Sequence, residues 1–202
     1  MPVPPRDIDV FLATSSPYVY LASARLPDIA RRHNLRLVYR PLDAGALFGR
    51  TGGQALADRH ESRRAYRLQE LRRQSAKHGL PLNPKPRYFP VNSAPSSYAL
   101  IAAQAGGGGD VDGLLHALCR ALWAQDRNIA DDDVIRDCLA QAGFDAGLAD
   151  RGLLLGAETY ARNLHDAVEM GVFGVPFFIV GEEKFWGQDR LDDMEAYVAS
   201  LS

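Results

Sequence analysis

The residues best suited to chemistry form a serine-proline pair near the start of the chain. Ser16-Pro17-Tyr18 follows the apolar run Val10-Phe11-Leu12, a pattern that predicts a strand, a turn and then a helix. Pro17 suits the first helical turn, where a missing N–H costs nothing. A helix N-terminus carries unsatisfied N–H groups and partial positive charge, so it stabilises a thiolate or an alkoxide. Ser16 is therefore a candidate hydrogen-bond donor to a thiolate, although a serine at this position also serves simply as a helix N-cap.

The cysteines restrict where such a thiolate can come from. The chain has only two, Cys119 and Cys138, and neither belongs to a Cys-x-x-Cys motif or to a cysteine-histidine cluster that would bind metal. Both lie in segments with helical patterns and are predicted to be buried thiols. Because no cysteine stands at the predicted helix start, a thiolate used there must be supplied by a ligand.

Length and charge limit the classes of function. The 202 residues can bury a core without metal or disulfide support. A formal net charge of −2 argues against a nucleic acid or an anionic membrane as partner. Residues 1–7 lack the basic flank and apolar centre of a secretory signal, and no later run approaches the roughly 20 apolar residues of a membrane span. We expect a soluble cytoplasmic protein.

The two ends of the chain carry the strand patterns. Residues 8–13 and 35–40 are predicted strands, and helical spacing over 17–33 places a helix between them, which makes a parallel βαβ unit. Near the other end, 177–180 and 184–186 are predicted to form a hairpin, and a helix is predicted over 190–201.

The middle section has helical patterns interrupted by glycine and proline. Helices are predicted over 61–78, 96–105, 113–124, 131–142 and 159–170. Loops are predicted at the four glycines 106–109, over the Pro-rich stretch 81–90, and between Gly152 and Gly156. The chain thus has an α/β organisation in which residues 44–164 form an all-helical domain inserted between 1–43 and 165–202.

A second signal, Val175-Pro176, lies far downstream of Ser16. In thioredoxin-like proteins a first strand ends in a Cys-x-x-Cys turn, and a distant cis-proline loop packs beside it. The chain resembles the family of kappa-class glutathione transferases and 2-hydroxychromene-2-carboxylate isomerases, a branch of the disulfide oxidoreductase A-like thioredoxin fold. The motifs that carry the resemblance are Ser15-Ser16-Pro17-Tyr18, Phe89-Pro90-Val91-Asn92, Ala121-Leu122-Trp123-Ala124, Gly171-Val172-Phe173-Gly174-Val175-Pro176 and Trp186-Gly187-Gln188-Asp189-Arg190-Leu191.

The resemblance implies that glutathione is the cofactor and that 1–43 and 165–202 form a thioredoxin-like domain. Ser16 would be the catalytic residue, hydrogen-bonding the glutathione sulfur. Val175 would pair through its backbone with the cysteinyl part of the tripeptide, as a strand adds to a sheet edge. The implied contacts with the γ-glutamyl end lie in the segment Trp186, Gly187, Gln188 and Asp189. Taken alone, Val175 could be a core residue and Asp189 a helix cap.

An asparagine that touches glutathione is usual in the family after the second strand, and this chain has none there. Gln54 or Thr51 is the candidate replacement. In the isomerase branch, a glutathione thiolate adds to a conjugated carbon, a bond rotates, and the thiolate leaves. The resemblance also implies that the substrate is a small aromatic carboxylate. A protein that performs this reaction needs a stabilised thiolate, a cation for the substrate carboxylate and an apolar slot for the aromatic ring.

The candidate cations are Arg50, Arg63, Arg64 and Arg67. We assign Arg50 and Arg64, with Tyr18 and Asn92, to the substrate site, while a solvated helical face explains most of the arginines equally well. Two other functions stay open: a kappa-like transferase that conjugates glutathione to an electrophile, and a non-catalytic thioredoxin-like binding module. The resemblance also implies a homodimer.

Overall fold

A four-stranded mixed sheet forms the centre of the computed structural model, which describes residues 7–201. Strand β1 (Asp7–Leu12) pairs in parallel with β2 (Arg36–Pro41), and β3 (Phe177–Val180) pairs antiparallel with both β1 and β4 (Glu183–Trp186). The strand order is β2-β1-β3-β4. The two ends of the chain therefore meet in one sheet, which brings the β1 exit beside the entry to β3.

Helices make up most of the rest. They are α1 (Pro17–Ser23), α2 (Leu26–Arg32), α3 (Ala44–Thr51), α4 (Glu61–His78), α5 (Ala94–Gly106), α6 (Val111–Trp123), α7 (Asp132–Gln141), α8 (Leu148–Arg151), α9 (Leu153–Glu169) and α10 (Leu191–Ala199). Single 3-10 turns lie at Leu56–Asp58 and Gln188–Arg190. Within residues 7–201, none of these helices combines the length and the apolar character that crossing a membrane requires.

One predicted helix is wrong in its continuity. Residues 17–33 form two helices, α1 and α2, separated at Ala24 and Arg25. Pro27 lies in the first turn of α2 and has no N–H to donate to the carbonyl of Ser23, so a continuous helix would lack that hydrogen bond. The chain starts a new helix instead.

The turn predicted between Gly152 and Gly156 is also wrong, because Gly156 lies inside α9. A Cβ at this position would lie 2.4 Å from the Cβ of Tyr98 and 2.6 Å from its Cα. The glycine therefore allows α9 to pack closely against α5, and its role is packing rather than chain reversal. Because Gly156 is part of the helix, α9 begins at Leu153 and not at residue 159, the predicted start.

The hydrophobic core is continuous from the sheet into the helices of the middle section. Its main cluster includes Ile8 of β1, Trp123 of α6 and Met194 of α10, all fully buried. A smaller cluster on the other side of the sheet contains Phe11 and Ile179. The division of the chain at 43/44 and 164/165 stays a prediction, since the strands and the helices share these clusters.

Candidate active site

Ser16 is the N-cap residue of α1. Its backbone is extended, and its Oγ accepts a hydrogen bond from the N–H of Val19 at 3.4 Å. Its own N–H donates to the carbonyl of Ala13 at 2.9 Å, which fixes the turn between β1 and α1. A hydroxyl has one proton to donate besides its acceptor positions. Capping uses Oγ as an acceptor, so the Ser16 proton remains available to a ligand.

Thr14 anchors this turn through contacts with α5 and α6. It is fully buried, and its Oγ1 lies 2.8 Å from the Oγ of Ser96 in α5. The Ser96 hydroxyl donates to the carbonyl of Ser93 at 3.1 Å, and the Cys119 thiol donates to the Thr14 carbonyl at 3.4 Å. Two helices from the middle section thus hold the residues that precede Ser16.

The downstream proline loop lies beside Ser16, as the sequence predicts. The Val175-Pro176 peptide bond is cis, and Val175 lines the same cavity as Ser16. Among residues 7–201, neither the N–H nor the C=O of Val175 has a hydrogen-bond partner. This half-buried residue can therefore pair with an extended ligand backbone. Gly174 lies directly under Trp186, since a Cβ on it would be 2.4 Å from the indole Nε1.

The segment after β4 presents two polar side chains. Gln188 is buried, with 3% of its surface exposed, yet its Oε1 has no hydrogen-bond partner among the described residues. A buried unpartnered acceptor is costly unless a ligand satisfies it. Asp189 is exposed and forms an ion pair with Arg190 at 2.9 Å.

These residues meet in one cavity of about 700 Å³. Of the side chains that the sequence assigned to the site, it is lined by Ser16, Tyr18, Val175, Trp186, Gly187, Gln188 and Asp189. The cavity has the size of a typical small-molecule site. The structure thus brings together Ser16, the free backbone groups of Val175, and the polar pair Gln188 and Asp189, which are far apart in the sequence.

Four of the assigned residues do not reach this lining: Gln54, Arg50, Arg64 and Asn92. All four are exposed. The Asn92 Oδ1 accepts from the N–H of Ala94 at 3.1 Å, so it closes the loop before α5. The backbone carbonyl of Gln54 accepts from the Arg59 guanidinium at 3.0 Å.

Four other arginines line the cavity instead: Arg59, Arg63, Arg67 and Arg190. For Arg63 and Arg67 the available signal is their spacing of four residues, which puts both on one face of α4. Arg59 precedes this helix and has no such signal in the sequence. The guanidinium carbon of Arg67 lies 5.4 Å from the ring centroid of Phe89 and 5.7 Å from that of Trp123. Burial lowers the pKa of Arg67, and burial raises the pKa of the adjacent Tyr18 phenol.

A family model described as "DSBA-like thioredoxin domain" matches residues 7–199. The chain belongs to that family. It is 30% identical over 196 residues to a 2-hydroxychromene-2-carboxylate isomerase of Sphingobium xenophagum, covering 96% of this chain and 98% of the relative. The corresponding enzyme of Pseudomonas putida is 27% identical, with 96% and 95% covered. The chain is thus also a member of the 2-hydroxychromene-2-carboxylate isomerase family, a family of enzymes.

A solved structure of a 2-hydroxychromene-2-carboxylate isomerase superposes with a TM-score of 0.79 at 25% identity, covering 96% of this chain and 95% of that one. The thioredoxin-like fold predicted from the sequence is therefore confirmed. In this DSBA-like chain, both cysteines are free and buried, as predicted. Burial raises the pKa of Cys119, and it raises the pKa of Cys138 to about 11. Neither thiol lines the cavity, so neither serves as a nucleophile there.

Proposed function

We propose that this protein is a glutathione-dependent isomerase of 2-hydroxychromene-2-carboxylate or a similar conjugated aromatic acid. The observation that carries the proposal is that Ser16, Val175, Gln188 and Asp189 line one cavity that contains no cysteine. The similarity to named isomerases over nearly the whole chain supports the reaction class. A visiting tripeptide supplies the sulfur that the cavity lacks.

Glutathione binds through main-chain and polar contacts. The free N–H and C=O of Val175 pair with the cysteinyl backbone, in the manner of strand addition. The ammonium of the γ-glutamyl group donates to the Asp189 carboxylate and to the unpartnered Oε1 of Gln188, while the Gln188 amide donates to the neighbouring carboxylate. This placement puts the cysteinyl sulfur within reach of the Ser16 hydroxyl.

The serine proton stabilises the thiolate without consuming it. The cyclic hemiketal of the chromene first opens: the proton of its hydroxyl passes to the ring oxygen, which leaves a phenol and a ketone conjugated with the double bond. The sulfur then adds to a conjugated carbon of the open acid, forming a C–S bond while the electron pair of the double bond moves onto the ketone oxygen. The former double bond is now single and rotates. The electron pair then returns, the C–S bond breaks, and the thiolate is released unchanged. No atom is gained or lost by either molecule.

The test follows the substrate and the thiol in the same sample. The protein is incubated with 2-hydroxychromene-2-carboxylate and glutathione, the two isomers are separated chromatographically, and free thiols are counted before and after. We expect the same isomer ratio from either starting isomer, with no loss of thiol and no conversion when glutathione is omitted. Loss of thiol matched to loss of substrate would identify a transferase, and no binding of glutathione by calorimetry would identify a non-catalytic module.

The cytoplasmic location and the homodimer stay predictions. Two free thiols suit a reducing compartment. Analytical ultracentrifugation at several protein concentrations measures the assembly directly.

A further inference from the structure

The cavity wall formed by the start of α4 carries unmatched positive charge. Arg59, Arg63 and Arg67, here called the arginine cluster, line both the main cavity and an adjoining pocket of about 350 Å³, with Tyr18 shared between the two. Among residues 7–201, none of the three forms a salt bridge with a carboxylate. All three side chains line these cavities, and that of Arg67 is half-buried there.

The carboxylates of the same cavity are already engaged. Glu70 lies one turn beyond Arg67 on α4, but its oxygens accept from Arg73 at 2.6 Å and from Gln74 at 2.7 Å. Asp189 is paired with Arg190. The α4 side of the cavity is therefore cationic, and an anionic ligand is the missing counter-charge.

Arg67 is the member of the cluster whose position is most restricted. Arg67 is half-buried, whereas Arg63 is exposed. The guanidinium of Arg67 lies over the rings of Phe89 and Trp123. In the described part of the chain, its side chain has no hydrogen-bond acceptor. Stacking on rings holds a guanidinium by its face and leaves the N–H groups at its edge free for two parallel bonds to a carboxylate. Burying part of a charge without a partner is costly, so a bound carboxylate would offset that cost.

We propose that Arg67 is a specificity-determining residue that binds the carboxylate of a planar aromatic acid, with Phe89 and Tyr18 providing apolar surface for the ring. This inference rests on the proposed function and deepens it, because it names the residue that makes the site select acids over neutral compounds. The subsite is preformed, so it binds an aromatic acid in the absence of glutathione.

The experiment uses glutathione-free protein with two probes of the same shape, trans-cinnamate and its neutral amide, cinnamamide. Binding is measured by calorimetry in chloride buffer. We expect the wild type to bind cinnamate roughly ten- to a hundredfold more tightly than cinnamamide, the range for hydrogen bonds to a charged group. Arg67→Gln should reduce cinnamate affinity to that of the amide and leave cinnamamide affinity unchanged.

The matched control is Arg72→Gln, since Arg72 lies on the same helix, is exposed and is outside the cavity lining. It should retain the full preference for the acid. Arg67→Lys keeps the charge but not the planar fork, and it should give a preference between those of the wild type and Arg67→Gln. It also provides the measurement if Arg67→Gln fails to fold, as judged by its melting curve.

Two results would overturn the inference: equal binding of acid and amide by the wild type, or an undiminished preference in a folded Arg67→Gln protein. Neither depends on turnover. Isomerisation with conserved thiol would uphold the proposed function even if Arg67 proved irrelevant, and selective binding of cinnamate would uphold the subsite even if no isomerisation occurred.

Discussion

Gly187 donates its backbone N–H to the carbonyl oxygen of Pro176 at 3.0 Å. This hydrogen bond joins the loop that carries Val175 to the segment that carries Gln188 and Asp189. The backbone of Gly187 has φ +104° and ψ 152°, a region that side chains with a Cβ avoid. The distance between the two halves of the proposed glutathione site therefore depends on one glycine.

Replacing this glycine should damage both the fold and the site. In Gly187→Ala, the new Cβ would be 2.5 Å from the Asp189 Oδ1, and the backbone conformation itself costs about 1–3 kcal/mol for a non-glycine residue. We expect lower stability in urea unfolding and weaker glutathione binding by calorimetry. Gly49→Ala is the control: its Cβ would meet nothing within 4 Å, so it should stabilise α3 by about 0.5–1 kcal/mol. Unchanged glutathione affinity in Gly187→Ala would contradict the expectation.

Ser16 caps α1, and substitution can separate this role from the proposed hydrogen bond to the thiolate. Ser16→Ala removes the helix cap, which costs about 0.5–2 kcal/mol of stability, whereas glycine at an N-cap costs only a few tenths. Both variants also remove the proposed hydrogen bond to the thiolate, worth about 1.5–3 kcal/mol. We expect both to lose roughly ten- to a hundredfold in kcat/KM, but only Ser16→Ala to melt clearly lower. Wild-type turnover in Ser16→Gly would show that the hydroxyl serves as a cap alone.

Much of the fold could be predicted because its signals are local. The apolar run Phe177–Val180 after a proline and the helix Glu61–His78 before a glycine have the predicted bounds. Helix α3 is not predicted from the sequence because Gly45 and Gly49, which are poor helix formers, weaken its helical pattern. Asp43 and Gly52 nevertheless cap it in the usual way. The extent of α9 depended on Tyr98, a distant residue that no local pattern reveals.

The assignment of cations to the site was limited for a physical reason. Helix α4 buries only Leu71 completely, so its apolar pattern is too sparse to show which face points inward. Arginines occur at 63, 64, 67, 72 and 73, and the sequence assigned Arg64, which lies outside the cavity. The contact of Arg67 with Phe89 and Trp123 requires the tertiary fold. By contrast, Ser16 and Val175 could be found because each is adjacent to a proline with a distinct backbone role.

Thr14 should matter for activity even though it is fully buried. Thr14→Val keeps the shape but removes the hydroxyl that Ser96 contacts at 2.8 Å, which leaves a buried polar group less satisfied and costs about 1–3 kcal/mol. We expect lower thermal stability and reduced turnover, because the turn leading to Ser16 loses its anchor. Thr159→Val, at a half-buried position of α9 away from the cavity, is the control and should leave turnover unchanged. Full activity of Thr14→Val would show that backbone contacts alone hold the turn.

Acidification should destabilise the fold through the half-buried histidines His116 and His78. Burial, with help from Arg120, lowers the pKa of His116 below its usual 6.5, and its Nδ1 lies 2.9 Å from the Ser23 hydroxyl. Burial likewise lowers the pKa of His78. Below pH 6.5 the unfolded chain binds more protons than the native one at these sites, so this stability is present above pH 6.5 and is lost as pH falls towards the native pKa.

Urea unfolding at a series of pH values from 7.5 to 5 checks this expectation. His116→Gln should flatten the decline on the acid side, and the double variant with His78→Gln should flatten it further. A slope identical to that of the wild type in the double variant would assign the acid sensitivity to other groups. Carboxylates held by arginine, such as Glu195 with Arg32, have pKa values lowered further below this window. Burial raises the pKa of Asp112 towards it.

Because Cys119 and Cys138 are buried, the proposed enzyme should tolerate oxidants that damage reactive thiols. A reactive sulfur that arrives with a ligand also departs with it, so an oxidised sulfur is discarded by exchange and the polypeptide itself needs no repair. Peroxide would then slow the enzyme only by depleting the cellular supply of reduced tripeptide, and fresh tripeptide would restore the rate at once.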